Sequence, residues 1–325
     1  MVGVQIPRHD RSLPALLKQA DEHTVALLES QTELGADHPR TLHAMQDLAW
    51  TQYELGRDEL AKALWVAVLE KHRTIRDHPD TLHTMGHPDT LRTMRNLAST
   101  YHELGQLQKA EELHIVALEK QREVLGENHP DTLWTMNNLA STYNQLHKFD
   151  LAESLALEVL QKQKEFLGDD HSDTLWTMGN LASTYHQHGQ LKKAENLKVQ
   201  GLEKQRTIPA EDHPNTLRTM DSLAWTYLKL GRLNAAEELG AVALEKQKKI
   251  MGEHHPDTLY TTGNLALMYQ VQGQFDRAEG LYSAVLENWR RIFGGEHPHT
   301  RWVMRNLAAM YRSMDTLGDW QVKEK

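Results

Sequence analysis

The chain has 325 residues, and Lys plus Arg is 36 against 45 for Asp plus Glu, a formal net charge of −9. That balance argues against a general nucleic-acid binder, which needs a basic face to displace counterions. Cysteine is absent, so disulfide scaffolds, thiolate metal sites and cysteine nucleophiles are excluded. With 39% hydrophobic, 25% charged and only 6% aromatic residues, the composition is that of a helix-rich soluble chain.

The N-terminal MVGVQIPRHD lacks the apolar core of a signal peptide. No apolar run approaches the ~18 residues of a membrane span, and no Asn-x-Ser/Thr sequon occurs. The expectation is a cytoplasmic chain with no membrane partner. Residues 12–35 read as a lone second helix, a half-repeat cap. From His38 onward one string recurs: HPDTL, NLA, Thr-Tyr, a glycine, AE-x-L, then ALEK and LG. Its marks His87, His129, His171, His213, His255 and His297 are 42 residues apart (129 − 87 = 42). Fixed spacing of this length means stacked supersecondary units that share a core.

Each unit reads as two amphipathic helices. In the third copy Leu133, Met136, Leu139, Ala140 and Tyr143 form one apolar stripe. Ala152, Leu155, Val159 and Leu160 form the stripe of the second helix, which stops at Gly168. Asp131 and Thr132 after Pro130 suit a helix start, where a capping oxygen can satisfy free N–H groups. Glycine separates the paired helices at Gly56, Gly105, Gly189, Gly231 and Gly273, and His147 and Asp315 take that place in the third and seventh copies. HPDTL occurs twice near the second copy, at His78 and His87, which leaves seven extra residues, and the second occurrence must start the helix. The extra residues form a surface loop or add turns to a neighbouring helix. The sum is 1 + 12 + 1 = 14 helices over 38–313 and the cap, with 314–325 as a frayed tail or short cap. The expected fold class is all-α, an α-solenoid of stacked antiparallel helix pairs forming a single domain over 1–325.

Asn138-Leu139-Ala140, Tyr143, Ala152-Glu153 and Leu157, with Gly105 and Ala117 of the copy before, resemble the tetratricopeptide repeat. The 42-residue period and the HPDTL linker resemble the repeat class of kinesin light chains, found also in the C-terminal arrays of fungal NOD-like receptors. The resemblance implies a right-handed solenoid whose concave groove is lined by first helices and binds a peptide or protein. A coiled-coil segment and a phosphate loop are both missing, so the chain is read as a stand-alone or engineered array, or as a fragment of a larger receptor.

A polar stripe lies about 130° around each first helix from the apolar one. Its first site reads His43, Arg92, Trp134, Trp176, Arg218, Tyr260 and Trp302, types enriched at interfaces. The competing reading packs such a ring onto the preceding helix. Its third site reads Asp47, Asn96, Asn138, Asn180, Ser222, Asn264 and Asn306, a ladder of amides that suits an extended peptide backbone or, alternatively, fixes helix to helix. The resemblance implies that these asparagines contact peptide. Arg95, Ser99, His102, Asn137, Ser141, Asn144, His186, Trp225, Lys229 and Arg305 complete the candidate peptide-binding set. Charged stripe residues sum to +2, six basic (Arg92, Arg95, Arg218, Lys229, Arg305, Arg312) against four acidic (Asp47, Glu54, Glu103, Asp221). The expected partner is therefore an extended or disordered segment carrying acidic and aromatic residues. No cofactor and no metal are expected, since eight of the 20 histidines mark linkers and HExxH is absent. Two other readings stand beside the scaffold: an enzyme using His102 or His186 with Glu103 or Asp221, and an array that self-associates through its end helices.

Overall fold

The computed structural model describes residues 13–74, 86–207, 213–295 and 298–323. Among them are fourteen helices and no strand, an all-α helical-repeat solenoid fold. The chain divides into two compact units, Met1–Gly168 and Asp169–Lys325.

Unit 1 holds α1 (Leu13–Leu34), then three antiparallel pairs. These are α2 (Pro39–Glu54) with α3 (Asp58–Thr74), α4 (Pro88–Glu103) with α5 (Leu107–Val124), and α6 (Pro130–Gln145) with α7 (Phe149–Phe166). Unit 2 holds α8 (Ser172–Gln187) with α9 (Leu191–Thr207), α10 (Pro214–Lys229) with α11 (Leu233–Met251), α12 (Pro256–Val271) with α13 (Phe275–Phe293), and finally α14 (Pro298–Lys323). The duplicated motif at 78–82 lies outside the described residues. His87 does start α4, as the spacing requires.

The helix starts differ from expectation in one atom. The cap is the histidine itself, not an Asp or Thr oxygen. Nδ1 of His38, His87, His129, His171, His213 and His255 each accepts the N–H two residues on, at 3.2 Å. All six sit in extended backbone, where an N-cap residue belongs. Proline follows five of them, and its missing N–H costs nothing at the first helical position. The motif threonine then ties the linker together: Thr132 donates to the Gly126 carbonyl at 2.9 Å and Thr300 to that of Gly294 at 2.8 Å.

The turn within each pair needs a left-handed residue. Glycine supplies it four times with φ between 70° and 76°, and once at 79°. His147 adopts φ 59° in the third copy, as its place in the repeat demands. No turn forms at Asp315, contrary to expectation. The helix α14 runs through it and continues to Lys323.

The core is organised around an alanine that recurs at one position of each second helix. Ala61, Ala110, Ala152, Ala194, Ala236 and Ala278 are all 0% exposed. A side chain that ends at Cβ lets the two helices close on each other, and larger residues fill the space beside it. Trp65, Met94 and Leu97 do so in unit 1, and Leu217, Met220 and Leu223 in unit 2.

Candidate functional site

The polar stripe sits where first helices of consecutive pairs lie side by side, and in unit 1 it is stitched shut. Gln46 donates to the Thr93 hydroxyl at 2.8 Å, and Arg92 donates to the Gln46 carbonyl oxygen. Arg95, whose side chain is 13% exposed, pairs with Asp131 and lies 4.5 Å from the Trp134 ring centre. Burial pulls the Arg95 value below its usual range, against the pull of Asp131. Asn138 donates to the Ser99 hydroxyl at 3.2 Å. Asn96, Asn137 and Asn144 are buried, and Ser141 is half-buried.

His102 is engaged at both ring nitrogens. The Gln145 amide donates to Nε2 at 2.7 Å. The Thr142 hydroxyl already donates to the Asn138 carbonyl, so its oxygen accepts the Nδ1 proton of His102 at 3.1 Å. Burial lowers the His102 pKa to about 4, so the ring is neutral. His114 lies behind it, 0% exposed, and burial, aided by His102 and Arg95, lowers its pKa to about 3.

Unit 2 uses the same frame with other side chains. Asn264 donates to Asp221 at 3.0 Å, and both are buried. Burial raises the Asp221 pKa to about 6, against its hydrogen bonds and nearby Lys198. Lys198, 6% exposed on α9, donates to the Ser222 carbonyl at 3.0 Å and the Thr226 hydroxyl at 2.9 Å. Desolvation lowers its pKa to about 7. His186 is lowered to about 4 by burial and by the charges of Lys198 and Lys229, and its Nε2 has no partner. The amide nitrogens of Asn180 and Asn306 are also without partners. The sequence accounts for the contrast at Asn306 only, since Asn180 has Ser141 at the corresponding place. Asn138 finds Ser99 three residues beyond Asn96 in the previous copy, whereas for Asn306 the same place is held by Leu267.

The first-site rings and cations bear on the preceding copy. Trp302 lies over Gly263 so closely that a Cβ there would stand 2.8 Å from its Cζ3. For Trp302 the packing reading therefore holds. Gly179 occupies the same repeat position (263 − 179 = 84, two periods), is exposed, and has nothing within 4 Å of where a Cβ would stand. The residue two periods before Trp302 is Arg218, whose Nε points to Asp257 of the following pair at 3.9 Å. Trp176 and Tyr260 are half-buried, and Lys229 lies 4.9 Å above the Trp225 ring on its own helix. Arg305 is exposed on α14.

Sequence reasoning missed Lys198 and Gly179. Both were visible by alignment of copies: Lys198 stands on a buried stripe where Ala156 and Gly240 stand, and Gly179 where Arg95 and Asn137 stand. Among the described residues no group of three or more His, Asp or Glu side chains could hold a metal ion, and no helix is long and apolar enough to cross a membrane.

Tetratricopeptide repeat models match residues 89–165, 138–207, 216–257 and 257–317. The chain is similar to a crystal structure of a putative kinesin light chain from Podosopora anserina with nearly identical TPR-like repeats. Identity is 30% over 63% of this chain and 97% of that one, with a TM-score of 0.55. RapI in its apo form shares the fold at 14% identity, covering 85% of this chain and 92% of that one, TM-score 0.61. A Rap protein complexed with Competence and Sporulation Factor shares it at 10% identity, covering 95% and 89%, TM-score 0.57. No curated protein matches the chain. The chain belongs to the tetratricopeptide repeat family, as an array of the kinesin light chain type.

Proposed function

We propose that the chain is a non-catalytic, cytoplasmic interaction scaffold that binds an extended segment of another protein along the first-helix face of unit 2. One observation carries the reading: the hollow over Gly179 is open, while its counterpart over Gly263 is filled by the chain's own indole. A ligand aromatic ring laid over Gly179 repeats a contact the fold already makes. Arg218, which stands where Trp302 stands two periods on, and exposed Arg305 favour acidic residues flanking that ring. The amide nitrogens of Asn180 and Asn306 are unpartnered but buried, so a peptide carbonyl reaches them once the side chain turns outward. A groove built on packed helices needs little ordering on binding, so weak contacts can add. The Rap protein in complex with its factor lends the same fold to a binding role. The proposal centres on Trp176, Asn180, His186, Arg218, Trp225, Lys229, Tyr260, Arg305 and Asn306, with Trp302 and Asn264 already engaged within the chain. The unit 1 set is proposed as a secondary surface, because so much of it is engaged internally.

The test uses an immobilised array of randomised 12-residue peptides. Peptides with an aromatic residue next to acidic ones should be selected. Asn180→Ala should weaken them by about five- to tenfold, the loss of one hydrogen bond, and Asn138→Ala by less. Absence of selection, or equal binding by Asn180→Ala, would remove the reading.

A further inference from the structure

A cavity of about 330 Å³ opens between α5 and α7 above α6 in unit 1, away from the polar stripe. Ile115, Leu155 and the Tyr143 ring wall it, and Leu151 stands at its mouth, 52% exposed. Glu119, Glu158 and Arg122 also line it. Glu158 is engaged by Lys162 at 2.7 Å and Arg122 at 3.6 Å, whereas Glu119 has no ion-pair partner among the described residues.

The other copies show what belongs there. Tyr143 recurs as Tyr101, Tyr185, Tyr227 and Tyr269, and each ring carries a cation. In three copies the cation comes from the first turn of the second helix: Lys109 at 5.6 Å, Lys193 at 4.8 Å and Arg277 at 3.9 Å. Leu151 holds their position (151 − 109 = 42). At Tyr143 the cation is Lys148, reaching the ring from the turn at 5.7 Å and bound by Glu111 at 2.6 and 2.7 Å. The long stem that lies beside the ring in those three copies is lacking here, as it is at Tyr227 where Ala235 holds the position, and leucine is too short to replace it.

We propose that this cavity takes an arginine or lysine side chain of a partner protein. Its aliphatic stem lies along Ile115, Leu151 and Leu155, as amphipathic cations do on apolar surface. Its charged head sits between the Tyr143 ring and Glu119, a cation–π contact completed by a carboxylate. The charge of Lys148 is already answered by Glu111, and the chain's net charge of −9 favours a basic visitor. This site is independent of the peptide face of unit 2.

The protein is labelled with 3-fluorotyrosine, the Tyr143 signal assigned through Tyr143→Phe, and titrated with N-acetyl-arginine amide. N-acetyl-citrulline amide, the neutral isostere, is the control. The arginine probe should move the Tyr143 signal at millimolar concentration, and the citrulline probe should bind at least about tenfold more weakly. Leu151→Lys should abolish the shift at an unchanged melting temperature, because two sister copies carry lysine at this position. Glu119→Gln, an exposed change that leaves packing alone, should weaken the arginine probe several-fold. Equal shifts with citrulline, or a shift that survives Leu151→Lys, would overturn the proposal.

Discussion

Units 1 and 2 share a frame and differ in their polar seams. In unit 1 the first-helix face is closed by its own side chains: Arg95 lies on Trp134, Asn138 reaches Ser99, and His102 bridges to Thr142 and Gln145. In unit 2 the same positions leave Gly179 uncovered, Asn180 and Asn306 without partners, and a lysine and an aspartate buried nearby. A repeat fixes where side chains meet but not whether they satisfy one another. Whether a seam closes on itself is therefore decided by single substitutions within an unchanged scaffold, and variants can break or sharpen the contrast.

The largest effect is expected at Lys198. Replacement by alanine strips the Ser222 carbonyl and Thr226 of a donor and leaves a void, a loss of about 3 kcal/mol in urea unfolding. Lys198→Met keeps the volume and removes the buried charge, so most of that loss should return. A Lys198→Met variant as unstable as Lys198→Ala would show that the ammonium itself holds the seam.

Acid should separate the units next. His102 and His114 are lowered to about 4 and about 3, so the unfolded chain takes up protons first as pH falls below the ordinary histidine value of ~6.5. Their contribution to stability is present above that value and is lost as pH falls toward the folded values. In unit 2 His186 acts in the same sense, as does Lys198 weakly near its folded value of about 7, but Asp221 opposes them: raised to about 6, it binds a proton in the fold before the unfolded chain does and adds stability as pH falls through 6. Between pH 7 and pH 5 unit 1 should lose on the order of 2 kcal/mol more than unit 2. Hydrogen exchange of α4 and α5 against α9 and α10, corrected for intrinsic rates, reads this directly, and equal losses would contradict it.

The smallest effect is at Gly179 itself. A methyl there meets nothing and improves helix propensity, so Gly179→Ala should stabilise the chain by up to about 1 kcal/mol in thermal unfolding. Destabilisation would mean that the hollow is not open.

The repeat was readable because its period is strict and its apolar positions return every third or fourth residue. His87 starts α4 and His147 accepts a positive φ for that reason alone. What no single copy reveals is partnership. Asn138 and Asn180 stand in near-identical strings, yet only Asn138 has its amide nitrogen bonded to a serine of the preceding first helix. Gly179 and Gly263 are also indistinguishable locally, because the deciding residues, Arg218 and Trp302, come 39 positions later (218 − 179 = 39). The histidine caps were legible as turn markers but not as acceptors, since an imidazole is an unusual substitute for a capping oxygen. Asp315 misled because a turn was inferred from its place in the repeat, whereas the helix runs through it to Lys323.

The most direct measurement is the affinity of an array-selected aromatic peptide for Arg218→Trp, which gives the α8–α10 pair the same glycine and indole as the α12–α14 pair. The account expects a folded variant with an unchanged melting temperature and at least about tenfold weaker binding, equivalent to 1.4 kcal/mol. An indole at residue 218 that leaves the affinity untouched in a folded protein would contradict it.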